Sequence, residues 1–412
     1  MSDAAVTNDN LCASRQSPRH RPSASSNRFL HVGRAGLACI AIGTLLVGSV
    51  GPGIYRKDLQ ADYLPALELR NGGDIFTPLV QLSERYFPIT EPVFPHPSPH
   101  PPVLALLSLP LTCLSYPVAV VLWLGSNLVL LAVVARWLGF SVGQSFAIVA
   151  WPPMWELLNV GNFELVVLVL AMLAWKAAAA GRDRQAGVLL GLAVSIKLYP
   201  AFFLVPFVMR RRWGLVSAAG VTVVLSQIAD LAIVGFSGLV VYYTKVLPAV
   251  SAFYRHSELN SSPYGALLHL FGGAFGARAL LHVPGLVLPL AIAIALAALV
   301  ALTNLEPEAA PVAILVALPI VWSTYAVLAL PQMVRLLRCK DWRYATLLSC
   351  AAASITYPLM KLWMQALAGN ALPIVGWLAI EPLGFVGLLL LSVARRLAGE
   401  SLAGRRSDSR TL

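Results

Sequence analysis

A chain of 412 residues with 58% hydrophobic and only 12% charged side chains excludes a soluble domain with one core, because its apolar segments repeat at the length that crosses a bilayer as helix. The net charge of +11 does not point to nucleic acid, since Lys and Arg stand at the ends of apolar runs and not among aromatics on one face. Cys12, Cys39, Cys113, Cys339 and Cys350 show no CxxC or Cys/His ligand spacing, which removes a zinc site and a disulfide framework.

In chain order, residues 1–33 are basic and rich in Ser and Pro, and read as a disordered cytoplasmic tail. The apolar run that begins near Ala35 ends in GPGIY with no small-residue cleavage site, so it reads as a retained anchor. Arg15, Arg19, Arg21, Arg28 and Arg34 place the tail inside by the positive-inside rule, and residues 54–101 become a long extracytoplasmic loop. PPVLALLSLPL then reads as a re-entrant or interfacial helix.

Later cytoplasmic markers are Lys176 with Arg182 and Arg184, MRRRW at residues 209–213, RLLRCKDWR at residues 335–343, and Arg395 with Arg396. Between them the path closes only if residues 186–209 and 311–336 are pairs of half-length helices, interrupted at IKLYP and at PIVWSTY. Broken helices are tolerated where the freed backbone lines a protein cavity. The expectation is an all-α polytopic membrane protein with about twelve crossings in residues 34–397 and a second cytoplasmic tail at 398–412. Spans of this composition must be helical, since strand-like alternation is absent.

On this path the outward apices carry Asp58, Asp62 and Asp74; His96 and His100; Asn159, Asn162 and Glu164; Lys197 and Tyr199; Tyr254, Arg255, His256, Asn260 and Ser261; and Trp322 with Tyr325. One outward-facing cavity would collect most of them. Taken singly, each has an ordinary reading: a loop Asp is solvated, a Lys near a helix end snorkels, and a boundary aromatic belongs to the interfacial belt. Asp230, deep in an apolar run with Gln227 before it, reads as a buried polar contact between helices.

The opening KDLQADYLPALELRNGGDIF resembles the "D, four residues, Tyr, small residues, Gly-x-Asp-aromatic" pattern of glycosyltransferase family 87, in the GT-C superfamily of membrane glycosyltransferases. HPPVLALLSLPL, NVGNFELVVLVL, AGVLLGLAVSIKLYPAFFL and LPIVWSTYAVLALP are similar to four further family segments, in the same order. Departures are Asn162-Phe163-Glu164, where relatives often carry Gln then Asn, Thr324 in place of the usual His, and Phe76 where Tyr is commoner.

The resemblance implies a GT-C type bundle in the cytoplasmic (inner) membrane. It implies transfer of a sugar, mannose by preference, from a polyprenyl-phosphate donor to a hydroxyl of a glycolipid or glycan outside, with inversion. No cofactor and no nucleotide are implied, and no carboxylate cluster stands at ligand spacing for a metal.

Such chemistry needs a carboxylate to take the hydroxyl proton and a cation to stabilise the departing phosphate. Asp58 matches the family's loop acid and is assigned general base, with Lys57 or a loop Arg expected to hold it ionised. Asp62, one helical turn on, is the rival base or a sugar ligand. Lys197 by motif, and Arg255 with His256 by local chemistry, are the phosphate candidates. His100, Asn162, Asn260, Trp322 and Tyr325 complete the expected substrate-binding set. A transporter or lipid-linked-saccharide flippase is the alternative, although the paired halves it predicts are not found.

Overall fold

The computed structural model describes residues 43, 54–55, 57–88, 94–141, 145, 148–257, 260–272, 281–304, 309–338, 384–390 and 392–394. Both tails, the first apolar run and Arg343, Arg395 and Arg396 lie outside the described residues. Among the described residues there is no strand.

The segment after the first run is not an open loop. It folds into α1 (Gln60–Arg70) and α2 (Leu79–Tyr86), joined by a turn in which Gly72 takes φ +75° and Asp74 Oδ1 accepts the Phe76 amide at 2.9 Å. Leu59, Leu64, Leu79, Leu82 and Phe87 close a small core against Tyr116 and Val120 of the next long helix. Glu68 is buried on α1, accepting from Arg85 Nη1 at 2.5 Å and Tyr86 Oη at 2.6 Å, so the acid is neutralised inside the pair.

Next come α3 (Pro102–Ser108), a 3₁₀ turn at Leu109–Cys113, and α4 (Tyr116–Trp137), a mostly apolar helix whose 22 residues suffice to span a bilayer. Then α5 (Pro152–Val160) and α6 (Glu164–Ala179) meet at an angle of 114°. Gly161 makes that corner with φ +77°, and its carbonyl accepts from Trp123 Nε1 at 2.8 Å. A Cβ there would both strain the left-handed backbone and crowd the indole, 3.3 Å away.

The expected interruption at IKLYP is present. α7 (Asp183–Ile196) stops where Lys197 turns extended, φ −143° and ψ 144°, and the chain returns through a 3₁₀ stretch, Tyr199–Leu204, into α8 (Val205–Met209). At the far end Arg212 pairs with Asp183 and donates from Nη2 to the Ala178 carbonyl at 2.8 Å, closing the hairpin. The bases at 182–184 and 210–212 therefore share one end of the fold. Lys197 lies at the other, about 21 Å along α7 at 1.5 Å per residue.

α9 (Trp213–Val241) crosses α7 closely: a Cβ on Gly187 would stand 2.2 Å from the Leu215 carbonyl, and one on Gly191 2.5 Å from Thr222 Cβ. Small residues spaced by four let the two backbones approach, which in a membrane replaces the missing hydrophobic drive with van der Waals contact. The run continues through a π-turn, Tyr242–Val246, into α10 (Leu247–Arg255).

The remaining elements are α11 (Pro263–Leu267), α12 (Val287–Asn304), α13 (Ala310–Ala317), a 3₁₀ stretch at Ser323–Ala329 and α14 (Leu330–Arg338). The second expected interruption falls between α13 and that 3₁₀ stretch. On α12, Leu288, Ile292, Leu296 and Val300 form an exposed stripe at four-residue spacing, which only lipid can solvate. Three helices among the described residues are long and apolar enough to span a bilayer, or four if the bent α5–α6 pair is one span. This is a helical membrane protein, and among the described residues its other apolar runs are divided among shorter helices and 3₁₀ turns.

Candidate functional site

The site forms where four chain breaks meet: the turn before α1, the proline-rich approach to α3, the α5–α6 corner and the end of α7. Backbone bonding fixes the first to the third, because the Asp58 amide donates to the Val160 carbonyl at 2.7 Å. Lys57 Nζ donates to Asn159 Oδ1 at 2.8 Å, so Lys57 serves the same junction.

From this junction a chain of polar contacts runs inward. Asn162 Nδ2 donates to Asp58 Oδ2 at 3.2 Å, and Asn162 Oδ1 accepts from Lys197 Nζ at 2.9 Å. The same oxygen accepts the Phe163 amide at 2.6 Å, which fixes the carboxamide's orientation. Lys197 also pairs with Glu164 Oε1 and lies over the Tyr325 ring, 5.1 Å from its centre. Lys197 is thus engaged on Asn162, Glu164 and an aromatic face, while Glu164, fully buried, keeps Oε2 without a partner.

A second pair lies alongside. Asp62, 2% exposed, holds His100 Nδ1 at 2.6 Å from Oδ1, and the His100 ring meets Phe163 edge-on at 6.2 Å. Asp62 and His100 line a small recess of about 10 Å³, roughly the room of one water, together with Phe76, Ser98 and the Pro101-Pro102 pair. Asp62 is therefore tied to a base, whereas Asp58 is half-buried with a single neutral side-chain donor on its carboxylate.

Burial pushes Asp58 up to about 6, with Lys197 pulling against it and Glu164 adding to the rise, which leaves the carboxylate mostly ionised at neutral pH. Desolvation of the carboxylate outweighs its cationic neighbours. Lys57 is itself pushed down to about 8 by burial, with Asp58 opposing.

Other expected residues are placed differently. Asn260, 1% exposed, uses its whole carboxamide on backbone: Nδ2 donates to the Arg255 and Pro319 carbonyls, and Oδ1 accepts the Ser262 and Val321 amides. It stitches the 260–262 turn to the 319–321 break. Arg255, at the end of α10, keeps a buried Nε without a partner. His256 is exposed, its Nδ1 3.0 Å from the Ala252 carbonyl of its own helix. Trp322 is half-buried and meets Tyr254 edge-on at 5.1 Å, and Tyr325 packs on Tyr199 at 5.0 Å. Thr324 is buried with Oγ1 unpartnered.

Glu164 is the residue to which the sequence reading gave no role. Its signal was available: it is an acid opening a 16-residue helix that stays apolar until Lys176 in its last turn, and ionisable groups in such a helix are costly unless paired.

The family model of glycosyltransferase family 87 matches residues 99–331, more than half of the chain. The matched segment contains His100, Asn162, Glu164, Lys197, Arg255 and Tyr325, while Asp58 and Asp62 precede it and are held to it by the contacts above. No curated protein and no solved structure matches the chain.

Proposed function

The chain belongs to glycosyltransferase family 87 and is a membrane glycosyltransferase, and from this premise we propose that it moves a sugar, mannose by preference, from a polyprenyl-phosphate carrier to a lipid or glycan hydroxyl. The acceptor oxygen attacks the anomeric carbon as the bond to the phosphate oxygen breaks, so the configuration inverts. The phosphate leaves with the bonding electrons, and Asp58 takes the hydroxyl proton.

The observation that carries this reading is the contrast between the two acids. Asp62 has its Oδ1 engaged on the His100 ring, whereas Asp58 has one neutral donor and a value near 6, poised to accept a proton at neutral pH. Lys197 and Asn162 orient that carboxylate. Arg255, with a free buried Nε, is the cation assigned to the departing phosphate. His100 and the recess beside it are assigned to sugar hydroxyls, and the aromatic pairs of Trp322 with Tyr254 and Tyr325 with Tyr199 are assigned to the sugar or prenyl groove.

The two ends of α7 support a site on the outer face of the cytoplasmic membrane: the bases at 182–184 and 210–212, which the positive-inside rule favours inside, lie one helix length from Lys197. A GT-C type bundle of about twelve crossings fits that arrangement.

The test is transfer from a radiolabelled polyprenyl-phosphate mannose to extracted membrane lipids by the purified enzyme. Wild type should transfer label, and Asp58→Asn and Asp58→Ala should lose about 10² to 10⁴ of the rate. Wild-type rates in both variants would remove Asp58 from the chemistry. A wild-type protein that transfers from other carriers and not from this one would remove the assigned donor.

A further inference from the structure

α9 contains a reversal that the site does not explain. Tyr243 Oη donates to Gln227 Oε1 at 2.8 Å, although sixteen residues separate them and a straight helix would carry them about 24 Å apart. The turning point is Gly235, φ 68° and ψ 175°, the one non-helical residue within α9. The limb after Gly235 therefore runs back beside the limb before it.

Each limb sends one fully buried polar side chain to the same short stretch of backbone. From the first limb, Asp230 accepts the Val103 amide at the start of α3 and is held by Gln227 Nε2 at 2.9 Å. From the π-turn that ends the second limb, Tyr242 Oη donates to the Pro99 carbonyl at 3.0 Å, with its ring stacked on Phe76 at 6.2 Å. Pro99 and Val103 bracket His100, with Pro101 and Pro102 stiffening the interval. Both ends of the His100 segment are thus fixed by one hairpin.

We infer that the α9 reversal is a positioning clamp, in which Asp230 and Tyr242 hold His100 Nδ1 on Asp62 and leave Nε2 for the substrate. An acid inside a membrane helix is functional by default, and here both carboxylate oxygens are engaged on Val103 and Gln227, so Asp230 acts through backbone placement and not by carrying protons. A carboxylate on the first free amide of α3 also complements the positive end of that short helix. The inference rests on the proposed role of His100 in substrate binding.

Double-mutant cycles on the full-length enzyme test it. Tyr242→Phe removes only the hydroxyl, Asp230→Asn keeps an acceptor for Val103, and Asp230→Ala removes it. The expected kcat losses are about 3-fold to 10-fold for Tyr242→Phe and about 10-fold or more for Asp230→Ala, with Asp230→Asn within about 3-fold and KM within about 2-fold throughout; in a His100→Gln background the same changes cost less than about 2-fold.

Equal losses in both backgrounds overturn the clamp. His100→Gln at the wild-type rate overturns it too, by removing what it positions, and is distinct from wild-type rates in Asp58→Asn, which strike the base assignment alone. A readout independent of transfer is the ethoxyformylation rate of His100 by diethyl pyrocarbonate, followed by peptide mass. It should rise about 3-fold or more in Tyr242→Phe and Asp230→Ala and stay constant at His256, since local opening governs access to a held side chain. An unchanged His100 rate overturns the inference.

Discussion

Lys197 and Asn162, 35 residues apart, meet through a 2.9 Å hydrogen bond at the carboxamide whose other end donates to Asp58. Lys197 also pairs with the fully buried Glu164, so the cation that orients the site also neutralises an acid.

This dual attachment separates stability from activity. Lys197→Met leaves Glu164 charged, buried and unpaired, which should cost about 3 to 5 kcal/mol of stability. Adding Glu164→Leu removes the orphan charge and should restore the unfolding temperature measured in detergent. Activity should stay low in the double variant, because Asn162 loses its second anchor. Full transferase activity there would reduce the pair to a structural one.

The value near 6 for Asp58 sets a pH dependence with a definite sign. The base must be ionised, so the kcat/KM profile, which reports the free enzyme, should rise tenfold per unit below about 6 and level off above it. Stability runs the other way. The folded value lies above the ordinary 3.8, so the native state binds the proton more tightly than the unfolded chain, and stability falls as pH rises from about 4 to about 6. Asp58→Asn should therefore unfold later than wild type at pH 7.5, by on the order of 1 to 3 kcal/mol for a shift of this size. The two should coincide below pH 4. Coincidence at pH 7.5 would show that burial does not strain this carboxylate.

Arg255 and Lys197 divide the cationic roles, and kinetics can separate them. Arg255→Lys keeps the charge but loses the planar fork, and should lower kcat/KM for the lipid-phosphate donor by about 10-fold; Arg255→Ala should lower it by about 10²-fold. Acceptor KM should not move in either. An effect confined to the acceptor would reassign Arg255 to the other substrate.

The sequence carried the membrane character, the breaks at IKLYP and PIVWSTY, and the set of polar apices, because apolar run length and the placement of bases are local properties. It singled out Asp58 among those apices as the base only through resemblance. It could not show that Asp62 is hydrogen-bonded to His100, since that contact joins residues 38 positions apart through tertiary folding. Asn260 looked like a loop ligand for the same reason: only the folded chain shows its carboxamide consumed by four backbone groups. The segment at 54–101 looked like open loop because its helices are short and interrupted by Pro65 and Gly72-Gly73. Their apolar residues find a partner face on Leu111 and on Tyr116 and Val120 of α4, which only tertiary folding brings there.

The α7–α9 crossing offers a prediction independent of chemistry. A methyl on Gly187 would lie 2.2 Å from the Leu215 carbonyl and 2.7 Å from Ala218 Cβ, backbone and short side chain that cannot rotate away. Gly187→Ala should therefore push the helices apart, at a cost of about 1 to 3 kcal/mol for overpacking. Gly220→Ala, also on α9 but with nothing within 4 Å of the new methyl, should be neutral or slightly stabilising because alanine favours helix. Thermal unfolding of the two variants in the same detergent compares them directly. Because α7 ends at Lys197, Gly187→Ala should also lower transfer beyond what the loss of folded protein explains. Equal unfolding temperatures for the two variants would mean that the helices do not cross as closely as Gly187 and Leu215 do here.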